Sequence, residues 1–363
     1  MNFIVIGINH KNTPIEVRER FYLSDTQQDL LLSELKSQPS VIEAFVLSTC
    51  NRVEIYANIL EGDKQEIDIL FKSLFSIKGV PVTREFRDYF YSYAGDAAIH
   101  HLFKVATSLD SMVIGEKQII GQLRLAFERA KKRGMMGKFL NVLSNMTLRT
   151  GKKAQHETAI GQGGSSVSWA AIATAEEALG TLKDKSILII GAGKMSELAV
   201  GQIQNKGFSQ LYLMNRTIAN AEHLAVQYGG TAVGFCDIKE ILTQVDVCIC
   251  SVGAPHYILD KSTVENIMRS RGDRPLVIID ISVPRNVDPL VREIEHVLSF
   301  QIDDLEKVVD ANMKQREKAI GEVEDIIAAK LNEYQKKIQK IHTLDHGKYT
   351  NPQSSTLNSV ILY

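Results

Sequence analysis

Ile187-Leu188-Ile189-Ile190-Gly191-Ala192-Gly193-Lys194-Met195-Ser196 reads as an apolar strand that runs into a glycine turn and then opens a helix. Gly191 permits the tight turn. Gly193 lets the backbone approach a pyrophosphate seated on the helix N-terminus, where amide donors point outward. The third small position is Ser196 rather than glycine. Around this turn the sequence alternates, with apolar strands at 186–190, 211–214, 247–251 and 276–280 separated by helical stretches. The alternation predicts a parallel sheet with helices on both faces, a Rossmann-type doubly wound unit. In that context Gly191, Ala192, Gly193, Lys194, Met195 and Ser196 form a dinucleotide site. The next strand ends Met214-Asn215-Arg216-Thr217. An acidic residue there would select NAD. Arg216 suits a 2′-phosphate instead, so the expected cofactor is NADPH, with Asn215 and Thr217 beside it.

Before this unit lies a region of mixed character. Residues 3–8 read as a strand, and 44–47 and 53–59 as two more, flanking the turn Ser48-Thr49-Cys50-Asn51-Arg52. Thr13-Pro14-Ile15-Glu16 and Ser24-Asp25-Thr26-Gln27 carry helix-start signals, each with a capping hydroxyl and an acceptor three residues on. From residue 97 the apolar spacing turns helical, over 97–108, 119–132 and 139–155. Gly161-Gln162-Gly163-Gly164-Ser165-Ser166 is a flexible break. Late in the chain Ile320, Val323, Ile327, Leu331, Tyr334, Ile338 and Ile341 recur at spacings of three and four. They predict one long helix over 303–342 with a narrow apolar stripe, as in a coiled-coil seam. The end of that stripe is expected to bury itself against a second copy, giving a homodimer. The fold class is therefore α/β and multidomain: an N-terminal α+β domain at 1–156, the Rossmann-type unit at 157–300, a long helix at 301–344 and a disordered polar tail at 345–363.

Composition narrows the functional classes. The chain has 363 residues and a net charge of −1, so any contact with nucleic acid must come from a local basic patch. Such a patch exists: Arg124, Arg129, Lys131, Lys132, Arg133, Lys138, Arg149, Lys152 and Lys153 are opposed in that window by Glu128 and by no Asp. No apolar run reaches the roughly 18 residues of a membrane span, and the N-terminus lacks the basic and apolar regions of a signal peptide. A cytoplasmic location without a membrane partner is expected. The cysteines, Cys50, Cys236, Cys248 and Cys250, are then free thiols. Cys248 and Cys250 have no zinc-site spacing and read as buried strand residues, and no metal site is expected.

Cys50 stands apart from them. A lone cysteine is more often structural than reactive, but this one occupies a polar turn. Arg52, two residues on, is a cation expected to lower its pKa. A thiolate beside a nicotinamide domain points to covalent redox chemistry, with acylation of sulfur followed by hydride delivery to the thioester. A second polar cluster runs from His101 through Asp110, Ser111, Glu116, Lys117 and Gln118 to Gln122. Gln118 and Gln122 share a helix face if the helix has begun there, and the plain alternative is a helix capped by Asp110 or Ser111.

With these residues quoted, the chain closely resembles the glutamyl-tRNA reductases of bacteria, archaea and plants. The resemblance runs through Gly7-Ile8-Asn9-His10-Lys11-Asn12-Thr13-Pro14, the Cys50 turn on to Glu54, residues 108–118, the glycine turn, Asn215-Arg216-Thr217, Asp280-Ile281-Ser282-Val283-Pro284-Arg285 and Ile302-Asp303-Asp304-Leu305. It implies that residues 1–156 form the catalytic and glutamate- and tRNA-recognising domain. It implies Cys50 as the nucleophile that takes glutamate from its tRNA, and His101 as a second residue important for activity. Thr49, Asn51, Arg52, Ser111, Glu116, Lys117, Gln118 and Gln122 would line the substrate site. The implied product is glutamate-1-semialdehyde, the entry to five-carbon tetrapyrrole synthesis, and the implied partners are tRNA(Glu) and an aminomutase that consumes the aldehyde. Three positions depart from the family pattern. Lys117 stands where proline is usual, Thr107-Ser108 replaces a more usual Ser-Gly, and little follows the long helix.

Two rival readings use the same features. A shikimate-type dehydrogenase would share the glycine turn and Asn-Arg-Thr but would not need Cys50. A catalytically idle tRNA-binding protein would need no NADPH.

Overall fold

The computed structural model describes residues 2–60, 66–161, 166–204, 206–305 and 317–347, with side chains to residue 337. Two sheets organise it. The first is antiparallel and has the order β2-β3-β1-β4, with β1 at Asn2–Asn9, β2 at Val41–Ser48, β3 at Arg52–Ile59 and β4 at Tyr91–Ala94. β2 and β3 form the hairpin whose tip carries Cys50. Around this sheet lie α1 (Ile15–Phe21), α2 (Asp25–Ser37), α3 (Glu66–Lys78), the single turn α4 (Arg84–Arg87), α5 (Asp96–Ala106), α6 (Gln118–Lys132) and α7 (Lys138–Glu157).

The helix starts follow local chemistry only in part. Ser24 and Gln27 close the expected capping box on α2. Thr13 does not cap α1: the helix begins after Pro14, and the Thr13 hydroxyl donates instead to the Tyr89 carbonyl at 3.3 Å. That tertiary bond ties the turn after β1 to the segment leading into β4.

After α8 (Val167–Leu179) the chain enters the second sheet. Its strands are β5 (Ser186–Ile190), β6 (Gln210–Met214), β7 (Thr231–Val233), β8 (Val247–Cys250), β9 (Leu276–Asp280) and β10 (Val297–Gln301). Every pairing is parallel and the order is β10-β9-β8-β5-β6-β7, the doubly wound arrangement expected. The helices α9 (Lys194–Gln204), α10 (Ile218–Tyr228), α11 (Ile238–Gln244) and α12 (Lys261–Arg271) complete the unit. Ile187 and Ile189 face one buried cluster while Leu188 and Ile190 face another, so β5 is covered on both sides. Cys248 and Cys250 are buried on β8.

The two units share side-chain contacts. Arg285, in the loop after β9, reaches Glu16 at 2.9 Å and Glu19 at 2.8 Å on α1. Arg18, between them on α1, binds Asp303. Ile15, Met112 and Val113 of the first unit join an apolar cluster of the second sheet.

The C-terminal segment departs from expectation in two ways. Residues 302–305 form a 3-10 turn against the second sheet, and the helix α13 spans Glu317–Gly347. Residues 306–316 and 348–363 lie outside the described residues, and with them most of the expected tail. The described part of the stripe, as far as Tyr334, is also covered within the chain. Ala319, Val323, Ile327 and Tyr334 are buried in the core of the first unit, where Tyr334 meets Phe139 edge-on at 6.4 Å. Helices α7 and α5 supply that surface. The side chains of Ile338 and Ile341 lie outside the described residues.

Candidate functional site

The Cys50 turn is held by its own hydroxyl. Thr49 Oγ1 accepts from the backbone N–H groups of Asn51 and Arg52, both at 3.2 Å. The backbone N–H of His10 donates to the Asn51 carbonyl at 3.0 Å. Cys50 is half-buried and packs against the apolar cluster of the second sheet, which also receives Ala192 and Met195 of the glycine turn. Burial, and then the nearby charge of Glu116, push its thiol up to about 12. Arg18 and Arg52 pull the other way, Arg18 more strongly, without reversing the shift. Arg52 thus acts in the expected direction, but burial outweighs it.

The Arg52 charge is compensated by Glu54. Arg52, Glu54 and Tyr56 alternate along β3 and so share one face. Glu54 is fully buried. Its Oε1 accepts from Arg52 Nη1 at 2.7 Å, and His101 Nε2 lies 2.7 Å from the same oxygen. Tyr91 also donates to Oε1, and Tyr56 donates to Oε2 at 2.8 Å. Burial alone would raise the Glu54 pKa, but the charge of Arg52, then that of His101, and these bonds hold it well below the carboxylate range. The other end of Arg52 is taken by the Asp110 backbone carbonyl and by Asp110 Oδ2 at 3.0 Å. Lys11 binds Asp110 as well, at 2.6 Å. Both terminal nitrogens of Arg52 are therefore committed inside the protein.

Residues 108–117 form an irregular loop, not a helix capped by Asp110 or Ser111; α6 begins only after Lys117. Ser108 sits at φ +64 and its hydroxyl donates to the Glu116 carbonyl at 2.6 Å, pinning the two ends of the loop. Gly115 has φ +87, and a Cβ there would lie 1.9 Å from the Ile160 carbonyl oxygen, so only glycine lets the loop pass that turn. Ser111 and Glu116 are buried, and burial pushes Glu116 up to about 7. Lys117 is exposed. Gln118 is half-buried, with Nε2 lacking a hydrogen-bond partner. Gln122, one turn on, lines a cleft of about 500 Å³ between α2, β2 and α6, together with Ser48, Asp25 and Arg129. Bonds thus join Thr49, Asn51 and Arg52, and reach His101 through Glu54. Glu116 adjoins Cys50 by charge, while Gln122 opens onto the neighbouring cleft.

At the glycine turn, the Gly191 N–H donates to the Met214 carbonyl at 2.7 Å. Its φ is +116, and a Cβ there would meet the Ser251 carbonyl oxygen at 2.2 Å. The turn therefore passes tightly between β5 and β8, where the strand order reverses. Nothing lies within 4 Å of a Cβ placed on Gly193, which leaves the start of α9 open. Ser196 is fully buried with an unpartnered hydroxyl. Lys194 pairs with Glu197 at 2.8 Å, and Asn215 Nδ2 donates to the Thr217 carbonyl at 2.9 Å. Arg216 is exposed and forms no ion pair among the described residues. An open helix start, a buried hydroxyl without a partner and a free guanidinium at the end of β6 fit a dinucleotide.

Over 351 residues the chain is 40% identical to the glutamyl-tRNA reductase of Thermodesulfovibrio yellowstonii, covering 95% of this chain and 81% of that one. The chain belongs to the glutamyl-tRNA reductase family. It is 38% identical to the glutamyl-tRNA reductase of Priestia megaterium over 333 residues, covering 91% and 74% of the two chains. A solved glutamyl-tRNA reductase from Methanopyrus kandleri superposes with a TM-score of 0.51 at 31% identity, covering 93% and 81%. The family model for the glutamyl-tRNA(Glu) reductase N-terminal domain matches residues 6–158, and that for shikimate/quinate 5-dehydrogenase matches 173–308. Membership makes the chain an oxidoreductase with a nicotinamide-type nucleotide unit.

For a reductase of this family the basic band from 124 to 153 is partly spoken for. Arg129 binds Asp25, and Arg133 binds Asp29 at 2.7 Å, so the opposing acids come from α2, outside the sequence window. Lys153 pairs with Glu157 at 3.6 Å. Arg124, Lys131, Lys132, Lys138, Arg149 and Lys152 remain exposed. Sequence alone assigns no role to Glu54, Tyr91 or Arg18, and offers Asp110 only as a helix cap. The alternation Arg52-x-Glu54-x-Tyr56 on a strand is the available signal for the first.

Proposed function

We propose that the chain reduces glutamyl-tRNA(Glu) to glutamate-1-semialdehyde with NADPH, through a thioester on Cys50, as the first step of five-carbon tetrapyrrole synthesis. The observation that carries this is the packing of Cys50, from the first unit, against the cluster that also receives Ala192 and Met195 of the dinucleotide turn. Nucleophile and cofactor turn pack against the same apolar cluster.

In this reading the Cys50 thiol loses its proton as substrate binds. The sulfur attacks the ester carbonyl carbon, the carbon–ribose oxygen bond breaks, and the tRNA leaves with its hydroxyl reprotonated. We assign the proton transfer to His101, whose Nε2 is fixed by Glu54 at 2.7 Å. Thr49 shapes the turn, while Asn51, Arg52, Ser111, Glu116, Lys117, Gln118 and Gln122 line the acyl and acceptor-end surface. Bound NADPH supplies the hydride that turns the thioester carbon into an aldehyde and frees the cysteine sulfur. Gly191, Ala192, Gly193, Lys194, Met195 and Ser196 hold its pyrophosphate in this reading, and Asn215, Arg216 and Thr217 its 2′-phosphate. The exposed cations of the 124–153 band track the tRNA backbone.

The division into residues 1–156, 157–300, 301–344 and 345–363 is proposed on the same basis, as are a cytosolic location, where a thiol nucleophile stays reduced, and an aminomutase partner. A homodimer is proposed with its seam beyond Tyr334, since the earlier stripe is buried within the chain. The test is one assay with glutamyl-tRNA and NADPH, following aldehyde, free tRNA and cofactor oxidation. Equal amounts of all three products support the reading. NADPH oxidation without tRNA dependence would favour the shikimate-type alternative, and tRNA binding without oxidation the idle one.

A further inference from the structure

Arg18 is the largest fully buried side chain among the described residues, and it is only partly satisfied. Its residue exposure is 2%, and its Nη2 binds Asp303 from the 3-10 turn that ends the second unit. Its Nε and Nη1 are buried without any acceptor. A charged group taken out of water with two unmatched donors is costly, and native structures rarely leave such donors unmatched. At the Cys50 turn two other buried polar atoms lack partners as well, Asn51 Oδ1, beside Cys50, and His10 Nδ1, on the residue whose N–H holds the Asn51 carbonyl, and the Arg18 charge acts on His10. These unmatched atoms belong to residues around the Cys50 turn.

We infer that Arg18 is a substrate-contacting cation of the acyl-transfer site, donating from its free nitrogens to oxygen of the glutamyl group as Cys50 attacks it. This rests on the thioester reading above. Arg52 is ill suited to that duty, because Glu54 and Asp110 occupy its terminal nitrogens. Arg18 keeps donors in reserve, and its charge acts on the Cys50 sulfur more strongly than that of Arg52. When sulfur attacks the ester carbon, the carbonyl oxygen becomes an oxyanion. A preformed guanidinium donor stabilises that charge without reorganising. Asp303 holds Arg18 by one nitrogen and leaves the others pointing elsewhere. The oxyanion donor is thereby tied to the docking of the cofactor unit on α1.

The test uses the full chain and two readouts. The first is tRNA release from glutamyl-tRNA without NADPH, for the wild type, Arg18→Gln, Arg18→Lys and Asp303→Asn, with thermal melts for each. The expectation is a loss of about 100-fold or more for Arg18→Gln, an intermediate loss for Arg18→Lys, and a smaller one for Asp303→Asn. Equal losses for Arg18→Gln and Asp303→Asn would reduce Arg18 to a tie between units and overturn the inference. If Arg18→Gln does not fold, Arg18→Lys decides, since it keeps the charge but not the fork; wild-type release by that variant also overturns it. The second readout needs no tRNA: iodoacetamide alkylation of Cys50 at pH 9. It should slow in Arg18→Gln, because a cation that favours the thiolate is lost, and an unchanged rate contradicts the inference. Should the wild type release no tRNA at all, the thioester reading fails, and the alkylation arm still judges Arg18.

Discussion

Nε2 of His101 and Nη1 of Arg52 meet on the same atom, Oε1 of Glu54, each at 2.7 Å. A fully buried carboxylate thereby fixes both the imidazole of α5 and the guanidinium of β3. Replacing Glu54 by Gln should cost about 3–5 kcal/mol, the usual penalty for leaving one partner of a buried pair uncompensated. The sign with pH is definite. The Glu54 pKa is depressed in the folded protein, so its contribution is present above the unfolded value of about 4.3 and is lost as pH falls through the folded one. Urea melts at pH 3, 5 and 7 should show the gap between wild type and Glu54→Gln narrowing in acid. A constant gap would show that charge is not what Glu54 contributes.

Ser108 occupies a left-handed conformation, φ +64. Its hydroxyl offsets the strain by holding the Glu116 carbonyl. Ser108→Ala loses that bond and keeps the strain, whereas Ser108→Gly loses the bond and releases the strain. The glycine variant should therefore be the more stable of the two by about 1 kcal/mol, reversing the usual Ala-over-Gly order. Thermal melts of the pair decide it.

Glu116 is raised to about 7 and its charge pushes the Cys50 thiol up. A carboxyl raised on folding contributes stability fully present below the unfolded value of about 4.3 and lost as pH rises through the folded one. Glu116→Gln should remove that loss and gain on the wild type between roughly pH 4 and 7. It should also speed alkylation of Cys50, while the exposed Cys236 still reacts first. Mass-spectrometric labelling at each cysteine measures both effects. Slower labelling of Cys50 in the variant would contradict the assigned charge effect.

Much of the fold is legible in the sequence, for reasons that can be named. The strand-glycine-helix run at 187–196 declares itself because backbone geometry demands those residues locally. Strands β6, β8 and β9 follow because a two-sided buried strand must be continuously apolar. Between 66 and 78 the spacing of Ile67, Leu70, Phe71, Leu74 and Phe75 is a helical signal that the sequence reading passed over. β4, Tyr-Ser-Tyr-Ala, is a short edge strand with mostly exposed side chains, specified by pairing with β1 rather than by its own pattern. The stripe of α13 is legible, but not what covers it, since periodicity does not distinguish a partner's surface from Phe139 of the same chain. The site divides likewise. Cys50 shows in its turn, whereas the committed state of Arg52 depends on Asp110, 58 residues away in sequence.

Arg216 is exposed at the end of β6 and forms no ion pair among the described residues; the proposed function sets it against a 2′-phosphate. Arg216→Ala should weaken NADPH by about 10–100-fold, from loss of a charge-assisted contact, and leave NADH nearly unchanged. Titration of both cofactors into the variant checks this. Equal losses would remove Arg216 from the 2′-phosphate site.

The most direct test of the central claim omits the cofactor. Glutamyl-tRNA is mixed with the protein alone, the mixture is quenched in acid, and Cys50 is examined by mass spectrometry while free tRNA is counted. The account predicts a glutamyl adduct on Cys50 with matching tRNA release, and neither in Cys50→Ser. Absence of both adduct and release in the wild type, or near-normal reduction by Cys50→Ser once NADPH is added, would contradict it.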